Sequence, residues 1–338
     1  MKRRRVLQLM HEQLVPPADL DGRTEAEVAL YKTEYDVWQA LTALGHEVVH
    51  LGLSDDLGPL RRALQSFQPH VVFNLLEEFR GEAVLDQNVV SYLELARAPY
   101  TGCGPRGLII ARDKALSKKL LAYHRIPVPR FITVARGRKP RRPATLSFPL
   151  IVKSQIEEAS MGLAQASVVH SDDKLADRVA FVHEHVGTDA IVEQYIHGRE
   201  FYVGVLGNRR LDVLPVWELD LRNLPADVPH IATRTVKFDL QYQERYDISS
   251  GPAVDLPPEV VARIVATSRK VFRALHLGGY ARIDYRWSST GQLYFLEANP
   301  NPDIAVDEEF ASAAEAGAIT YEALVQRIVS LGIRRGRE

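Results

Sequence analysis

The first third of the chain alternates short β-rich runs with stretches of helical period, and this restricts the fold more than any other feature. Val6–Met10, Glu47–Leu53 and His70–Leu76 are the β-rich runs. Between them, Thr24–Leu44 and Asp55–Phe67 repeat apolar residues at helical spacing, as at Val37, Leu41 and Leu44. Ser54 is positioned to cap the second helix, and Gly45 to end the first. Alternation of this kind implies a parallel sheet covered by helices. No G-x-G-x-x-G opens a helix after Val6–Met10, which argues against a dinucleotide-binding oxidoreductase.

Pro99–Pro105 punctuates the end of that unit, and a helix is expected over Pro105–His124. Strands then dominate: Arg130–Val134, Phe148–Ser154, Ala164–His170, Asp189–Ile196, Glu200–Leu206, Leu211–Leu219 and His230–Phe238. Helices Pro257–Leu277 and Ala318–Leu331 flank a final hairpin between Gly279 and Asn299. The fold class is therefore α/β followed by α+β, in three lobes: 1–112, 113–193 and 194–338. A length of 338 residues with 46% apolar content is enough for several cores.

Charge and cysteine content narrow the function. A formal charge of −1 argues against a surface built for nucleic acid. The single Cys103 rules out an internal disulfide framework and a multi-cysteine zinc site. After Met1–Arg5 the apolar run Val6–Met10 is too short for a signal peptide, and no later run reaches membrane-spanning length, so a reducing cytoplasm is expected.

The chemistry concentrates in Ala281-Arg-Ile-Asp284 and Leu296-Glu-Ala-Asn299. Residues two apart on a strand share a face, so Arg282 and Asp284 point one way, as do Glu297 and Asn299. With Thr290-Gly291 as a two-residue loop, Asp284 falls opposite Glu297 and Arg282 opposite Asn299. Two carboxylates and an amide oxygen suit Mg²⁺, which takes few protein ligands, with Mn²⁺ as an alternative. The guanidinium beside them suits a phosphoryl group gaining charge. A ladder of surface salt bridges on an ordinary hairpin is the competing reading.

Taken in order, Val72-Phe-Asn-Leu75, Gly81-Glu82, Pro99-Tyr-Thr-Gly102, Asp113-Lys114, Ile151-Val-Lys153, Ile191-Val-Glu193, Glu200-Phe201, Arg282-x-Asp284 and Glu297-x-Asn299 resemble the D-alanine–D-alanine ligases, which are ATP-grasp enzymes. The resemblance implies a three-lobed ATP-grasp architecture behind an N-terminal parallel-sheet domain. It implies an ATP-dependent carboxylate–amine ligase with small-molecule substrates, assembled as a homodimer. Lys114 and Lys153 would neutralise ATP phosphates, a task suited to a mobile point charge. Glu193 and Glu200 would receive the adenine amino group and the ribose hydroxyls, with Gln194, Tyr195 and Ile196 completing the nucleotide site. Ser160 and Gly162 would end the loop that covers the phosphates, although Glu157-Glu158 makes this copy unusually acidic. Asp284, Glu297 and Asn299 would hold the metal, and Arg282 would stabilise the transferring charge. Thr235–Tyr246 matches a closing loop, with Arg245-Tyr246 in place of its Lys-Tyr pair, and Tyr246 is the candidate general base. Glu27 matches the acid that binds the first substrate's amino group.

The chain also departs from that pattern. Glu77-Glu78 replaces the family's His-Gly, Asp303 replaces a glycine, and Asp307-Glu-Glu309 occupies the region of a carboxylate-binding serine. Acids here would repel a carboxylate, so the expected amine substrate is cationic or carboxylate-blocked rather than free D-alanine. An ATP-grasp kinase or carboxylase, an ATP-binding protein without ligase activity and a true D-alanine–D-alanine ligase stay open as alternatives.

Overall fold

The computed structural model describes residues 2–156, 163–225 and 227–335. The first sheet holds β1 (Arg5–His11), β2 (Glu47–Leu53) and β3 (Val71–Asn74) in the order β2-β1-β3, all parallel. The expected first helix is divided. A single turn, α1 (Glu25–Ala29), closed by a Thr24/Glu27 capping box, precedes α2 (Lys32–Ala43), and the break falls at Tyr31. Gly45 follows α2 with φ +78°, as expected of a residue that stops a helix. Ser54 does not cap α3 (Gly58–Phe67), which begins after Leu57 with Pro59 in its first turn, where a missing N–H costs nothing.

After α4 (Asp86–Leu95), the expected single helix 105–124 is two helices, α5 (Pro105–Arg112) and α6 (Lys114–Tyr123). Asp113 divides them by accepting from the N–H groups of Ala115 and Leu116 as an N-cap. The second sheet is antiparallel, in the order β4 (Phe131–Val134), β7 (Ala190–Gln194), β5 (Leu150–Ser154), β6 (Val168–Val169). It carries α7 (Asp172–Phe181), a helix absent from the sequence reading. Leu150, Val152, Leu175, Val179 and Val192 form this sheet's own apolar core.

The third sheet is antiparallel, built on the long β8 (Gly198–Gly207), with β9 (Leu211–Val213) and β10 (Trp217–Asp220) on either side of Pro215. The strand expected at 230–238 is not there. Thr233 caps a short helix, α8 (Arg234–Phe238), followed by α9 (Leu240–Tyr246) and the edge strand β11 (Ser249–Pro252). Beyond α10 (Pro258–Ala274) come β12 (Gly279–Ser288), β13 (Leu293–Pro300), α11 (Glu309–Ala316) and α12 (Tyr321–Arg335). The first and third sheets share apolar clusters: Leu7 and Val72 lie in one with Phe201 and Tyr285, and Val6 and Val37 lie in another with Tyr280 and Leu324. Among the described residues, no helix is long and apolar enough to cross a membrane.

The β12–β13 hairpin reaches the expected pairing by a different route. Ser288 pairs with Gln292, leaving a three-residue loop that ends in Gly291 at φ +77°. Alone, the extra loop residue would shift the register by one. A bulge at Leu296 shifts it back, so Asp284 still faces Glu297 and Arg282 still faces Asn299.

Gly102 closes the contact between the first lobe and this hairpin. It has φ +86°, and an added Cβ would overlap Asn301 Oδ1, which accepts from the Cys103 N–H at 2.6 Å. Gly102→Ala is therefore expected to lower stability by about 2 kcal/mol or more, combining left-handed strain with a displaced hydrogen bond. Urea denaturation of the two proteins measures this.

Candidate active site

Three elements bring charged side chains into one cleft. On β12, Arg282, Asp284 and Arg286 alternate along one face, with Asp284 opposite Tyr202 and Arg286 opposite Glu200 of β8. On the second sheet, Lys153 of β5 and Glu193 of β7 look toward the same space. Lys114 and Lys118, one helical turn apart on α6, form the third element. The N-cap side chain Asp113 accepts from Gln155 Nε2, and the Lys114 N–H donates to the Gln155 carbonyl, so α6 begins against the end of β5.

The resulting contacts form one network. Arg282 binds both carboxylate oxygens of Asp284, at 2.9 and 3.1 Å, and reaches Glu309 at 3.1 Å. Asn299 Nδ2 donates to Asp284 at 3.0 Å. Lys114 lies 3.5 Å from Glu297, Lys153 3.6 Å from Glu193, and Lys118 2.8 Å from Glu193. Arg286 holds Glu200 at 2.5 Å, and the Tyr202 hydroxyl donates to the same carboxylate at 3.0 Å. The cleft is lined by Lys153, Glu193, Gln194, Tyr195, Ile196 and Glu200 on one side and Asp284, Arg286 and Glu297 on the other.

The electrostatics follow from burial and from these neighbours. Burial alone would raise the Glu297 pKa, but the charges of Lys114, Lys153 and Lys118 outweigh it and hold the carboxyl at about 2. Asp284 is pushed up to about 6 by burial, with Arg282 opposing and Glu297 adding to the rise. Burial also works against an ionised Glu193, yet Lys118 and Lys153 keep it below its ordinary range. Burial pulls the Lys118 pKa down, and the charge of Glu193 opposes that fall.

Asp284, Glu297 and Asn299 supply two carboxylates and an amide. Among the described residues, no three acidic, histidine or cysteine side chains form a closed metal cage. Two carboxylates and an amide are all-oxygen donors, the kind that a hard ion such as Mg²⁺ takes while keeping water or other oxygens in its shell.

Not every expected residue joins the cleft. Glu27 is the exposed partner of Thr24 in the α1 capping box, because the break at Tyr31 sets that turn apart from α2. The buried acid of this region is Glu34 on α2, 5% exposed. Tyr246 packs on Tyr242 at 4.8 Å, beside the apolar cluster, and is not among the cleft-lining residues. Lys237 of α8 lines the cleft instead. Ser160 and Gly162, with Glu157-Glu158, lie outside the described residues. Lys118, Arg286, Tyr202, Lys237 and Glu34 were missed by the sequence reading. The i, i+4 step from Lys114 to Lys118 and the i, i+2 step from Asp284 to Arg286 are signals that could have found two of them.

A second set of acids continues from Arg282. Glu308 and Glu309 begin α11, and Asp303 accepts from Thr33 Oγ1 of α2 at 2.7 Å. Glu34 is pushed up to about 7 by burial, against the pull of its own backbone N–H, with Glu77 and Asp303 adding. Glu308 is also pushed up to about 7, by burial and then by Asp303 and Glu309. Glu78 instead faces His11 at 3.6 Å, and Asp307 is an exposed residue at φ +75°.

A family model described as D-ala D-ala ligase C-terminus matches residues 120–330. The D-alanine–D-alanine ligase of Syntrophotalea carbinolica is 33% identical over 313 residues, covering 90% of this chain and 92% of that protein. An uncharacterised protein, y4sG, of Sinorhizobium fredii is 32% identical over 308 residues, covering 88% and 86%. The crystal structure of the Bacillus anthracis D-alanine–D-alanine ligase complexed with ATP superposes with a TM-score of 0.75 over 99% of both chains, at 22% identity. With that match over more than half its length and relatives above 30% identity along most of it, the chain belongs to the D-alanine–D-alanine ligase family of ATP-grasp proteins.

Proposed function

We propose that this protein is an ATP-dependent carboxylate–amine ligase that makes an amide bond through an acyl phosphate, with an acidic pocket for the amine. One observation carries the reading: Lys153, Glu193, Glu200, Asp284 and Glu297 line a single cleft, with Lys114 against Glu297 and Arg282 against Asp284, although 183 positions separate Lys114 from Glu297. A triphosphate needs cations that can move to its oxygens, and Lys114 and Lys153 each sit at a loose 3.5–3.6 Å from a carboxylate. Glu193 and Glu200 are buried carboxyl groups, and a carboxylate is a pure acceptor, as an exocyclic amine and ribose hydroxyls require. Divalent metal at Asp284, Glu297 and Asn299 would supply charge neutralisation during phosphoryl transfer. Arg282, already fixed on Asp284 and Glu309, is preorganised to stabilise charge on the transferring group and on the tetrahedral adduct that the amine forms. No nucleophilic Ser or Cys is needed: the amine attacks the acyl carbon, phosphate leaves with the bonding pair, and the amine proton passes to solvent or phosphate.

The acidic amine pocket is supported by Glu34 and Glu308, whose pKa values are raised by burial and then by the nearby charges of Glu77 and Asp303 on Glu34 and of Asp303 and Glu309 on Glu308. A free carboxylate would meet like charge there, whereas an ammonium would relieve it. The relatives named as D-alanine–D-alanine ligases keep D-alanine itself as the rival acceptor.

Three measurements test these readings. Phosphate release with ATP and a panel of amines is expected to be faster with cationic or carboxylate-blocked amines than with D-alanine. Turnover on D-alanine alone would sink the acidic-pocket reading and leave the ligase. Asp284→Asn is expected to lower kcat/KM by about 100-fold, with a steeper Mg²⁺ requirement, since it removes a charged ligand and unlocks Arg282. A third test uses pH. The Glu34 pKa rises on folding from 4.5 to about 7, so the native state keeps a proton that the unfolded chain has lost. Wild-type stability therefore falls as pH climbs through that window, and Glu34→Gln escapes the fall. Its advantage should be absent near pH 4 and grow to as much as about 3 kcal/mol near pH 8, read from urea midpoints.

A further inference from the structure

Glu193 has two lysines, and they are not equivalent. Lys118 is wholly buried and touches it at 2.8 Å, whereas Lys153 lines the cleft and stands at 3.6 Å. Lys118 also donates to the carbonyl of Leu296, the residue at the β13 bulge immediately before Glu297. Its ammonium also lies 5.7 Å from the centre of the Phe295 ring. A wholly buried lysine between a helix and two sheets is costly unless the ion pair does something an apolar side chain could not.

The cost of stranding Glu193 gives the reason. If Lys153 were its only counter-ion, moving Lys153 onto a triphosphate would leave a buried carboxylate unpaired, and nucleotide binding would work against that penalty. We infer that Lys118 is a positioning residue, a permanent counter-ion that neutralises Glu193 so that Lys153 is released to the nucleotide phosphates, and that through Leu296 it fixes the start of the Glu297–Asn299 segment. The inference rests on the nucleotide-binding reading above but adds a role that the reading does not need.

The experiment measures binding of ATP and of inorganic tripolyphosphate by calorimetry, alongside thermal melting, for wild type, Lys118→Met, Lys118→Gln, Glu193→Gln and the Lys118→Met/Glu193→Gln double variant. Tripolyphosphate has no base, so it reports the phosphate end alone. Lys118→Met is expected to weaken both ligands by about tenfold or more, because Lys153 is captured by Glu193. In the double variant no carboxylate remains to capture Lys153, so tripolyphosphate affinity should return to that of Glu193→Gln. A merely structural lysine predicts a lower melting temperature with unchanged affinities in Lys118→Met, and that result overturns the inference. If Lys118→Met does not fold, Lys118→Gln, which removes the charge but keeps a donor, takes its place with the same two outcomes. Weaker tripolyphosphate binding by the double variant than by Glu193→Gln also overturns the inference. Wild type that binds neither ligand sinks the nucleotide reading, and the inference with it. Wild type that binds both, with Lys118→Met unimpaired, sinks only the role of Lys118.

Discussion

Charges out of water must solvate one another, and this constraint organises the centre of the molecule. Asp284, Glu193, Glu200, Lys118 and Arg286 are all nearly or wholly buried, and each has an opposite charge or a donor within about 3 Å. Deleting any one of these groups takes a charged partner away from another that is buried. The network is satisfied across six elements, so it also fixes their relative placement: α6 is tied to β7 and β13, β12 to β8, and β12 to α11. An apolar interface would bind as firmly, but it would not hold carboxylates and lysines ready for a charged ligand.

The second sheet has a core of its own, whereas the first and third share theirs. The charged cleft lies where that independent sheet faces the shared body, and Lys153 and Glu193 belong to the independent side. An element with a separate core can shift as a unit while its interior packing stays intact. The contacts that would change on such a shift are the loose ones at 3.5–3.6 Å, from Lys114 to Glu297 and from Lys153 to Glu193. The tight contact at Glu193 belongs to α6, through Lys118. Grip and mobility are thus divided between two lysines that look alike in sequence.

Much of this was legible from the chain, though not always for the right reason. The first sheet followed from alternation, and the facing of Asp284 and Glu297 from a two-residue turn. In the structure a longer loop and a bulge offset each other, and no local signal at Leu296 announces the bulge. Helix breaks at Tyr31 and Asp113 were hidden because the apolar period runs through both positions. The N-caps Asp113 and Thr233 were readable and were passed over. Lys118 was not singled out because a lysine on an amphipathic helix reads as solvated until the partner sheet is in place. Glu34 escaped notice for the same reason: its burial depends on docking of α2 against the 303–306 loop, held by Thr33 to Asp303 and Lys32 to the Val306 carbonyl. Burial set by contacts 270 or more positions apart has no local signature.

The two charged regions meet at one side chain. Arg282 contacts Asp284 on the cationic, metal-fitting side and Glu309 on the acidic side. On one side, lysines drive Glu297 down to about 2 against the effect of burial; on the other, burial and then neighbouring acids push Glu34 and Glu308 up to about 7. Burial opposes ionisation in every case, and the lysines around Glu297 overcome it whereas the acids near Glu34 and Glu308 add to it. The Arg282 guanidinium, 2.9 Å from Asp284 and 3.1 Å from Glu309, is thus the link between carboxyls crowded by lysines and a separate set of acids, and the opposite pKa displacements on its two sides record that difference in surroundings.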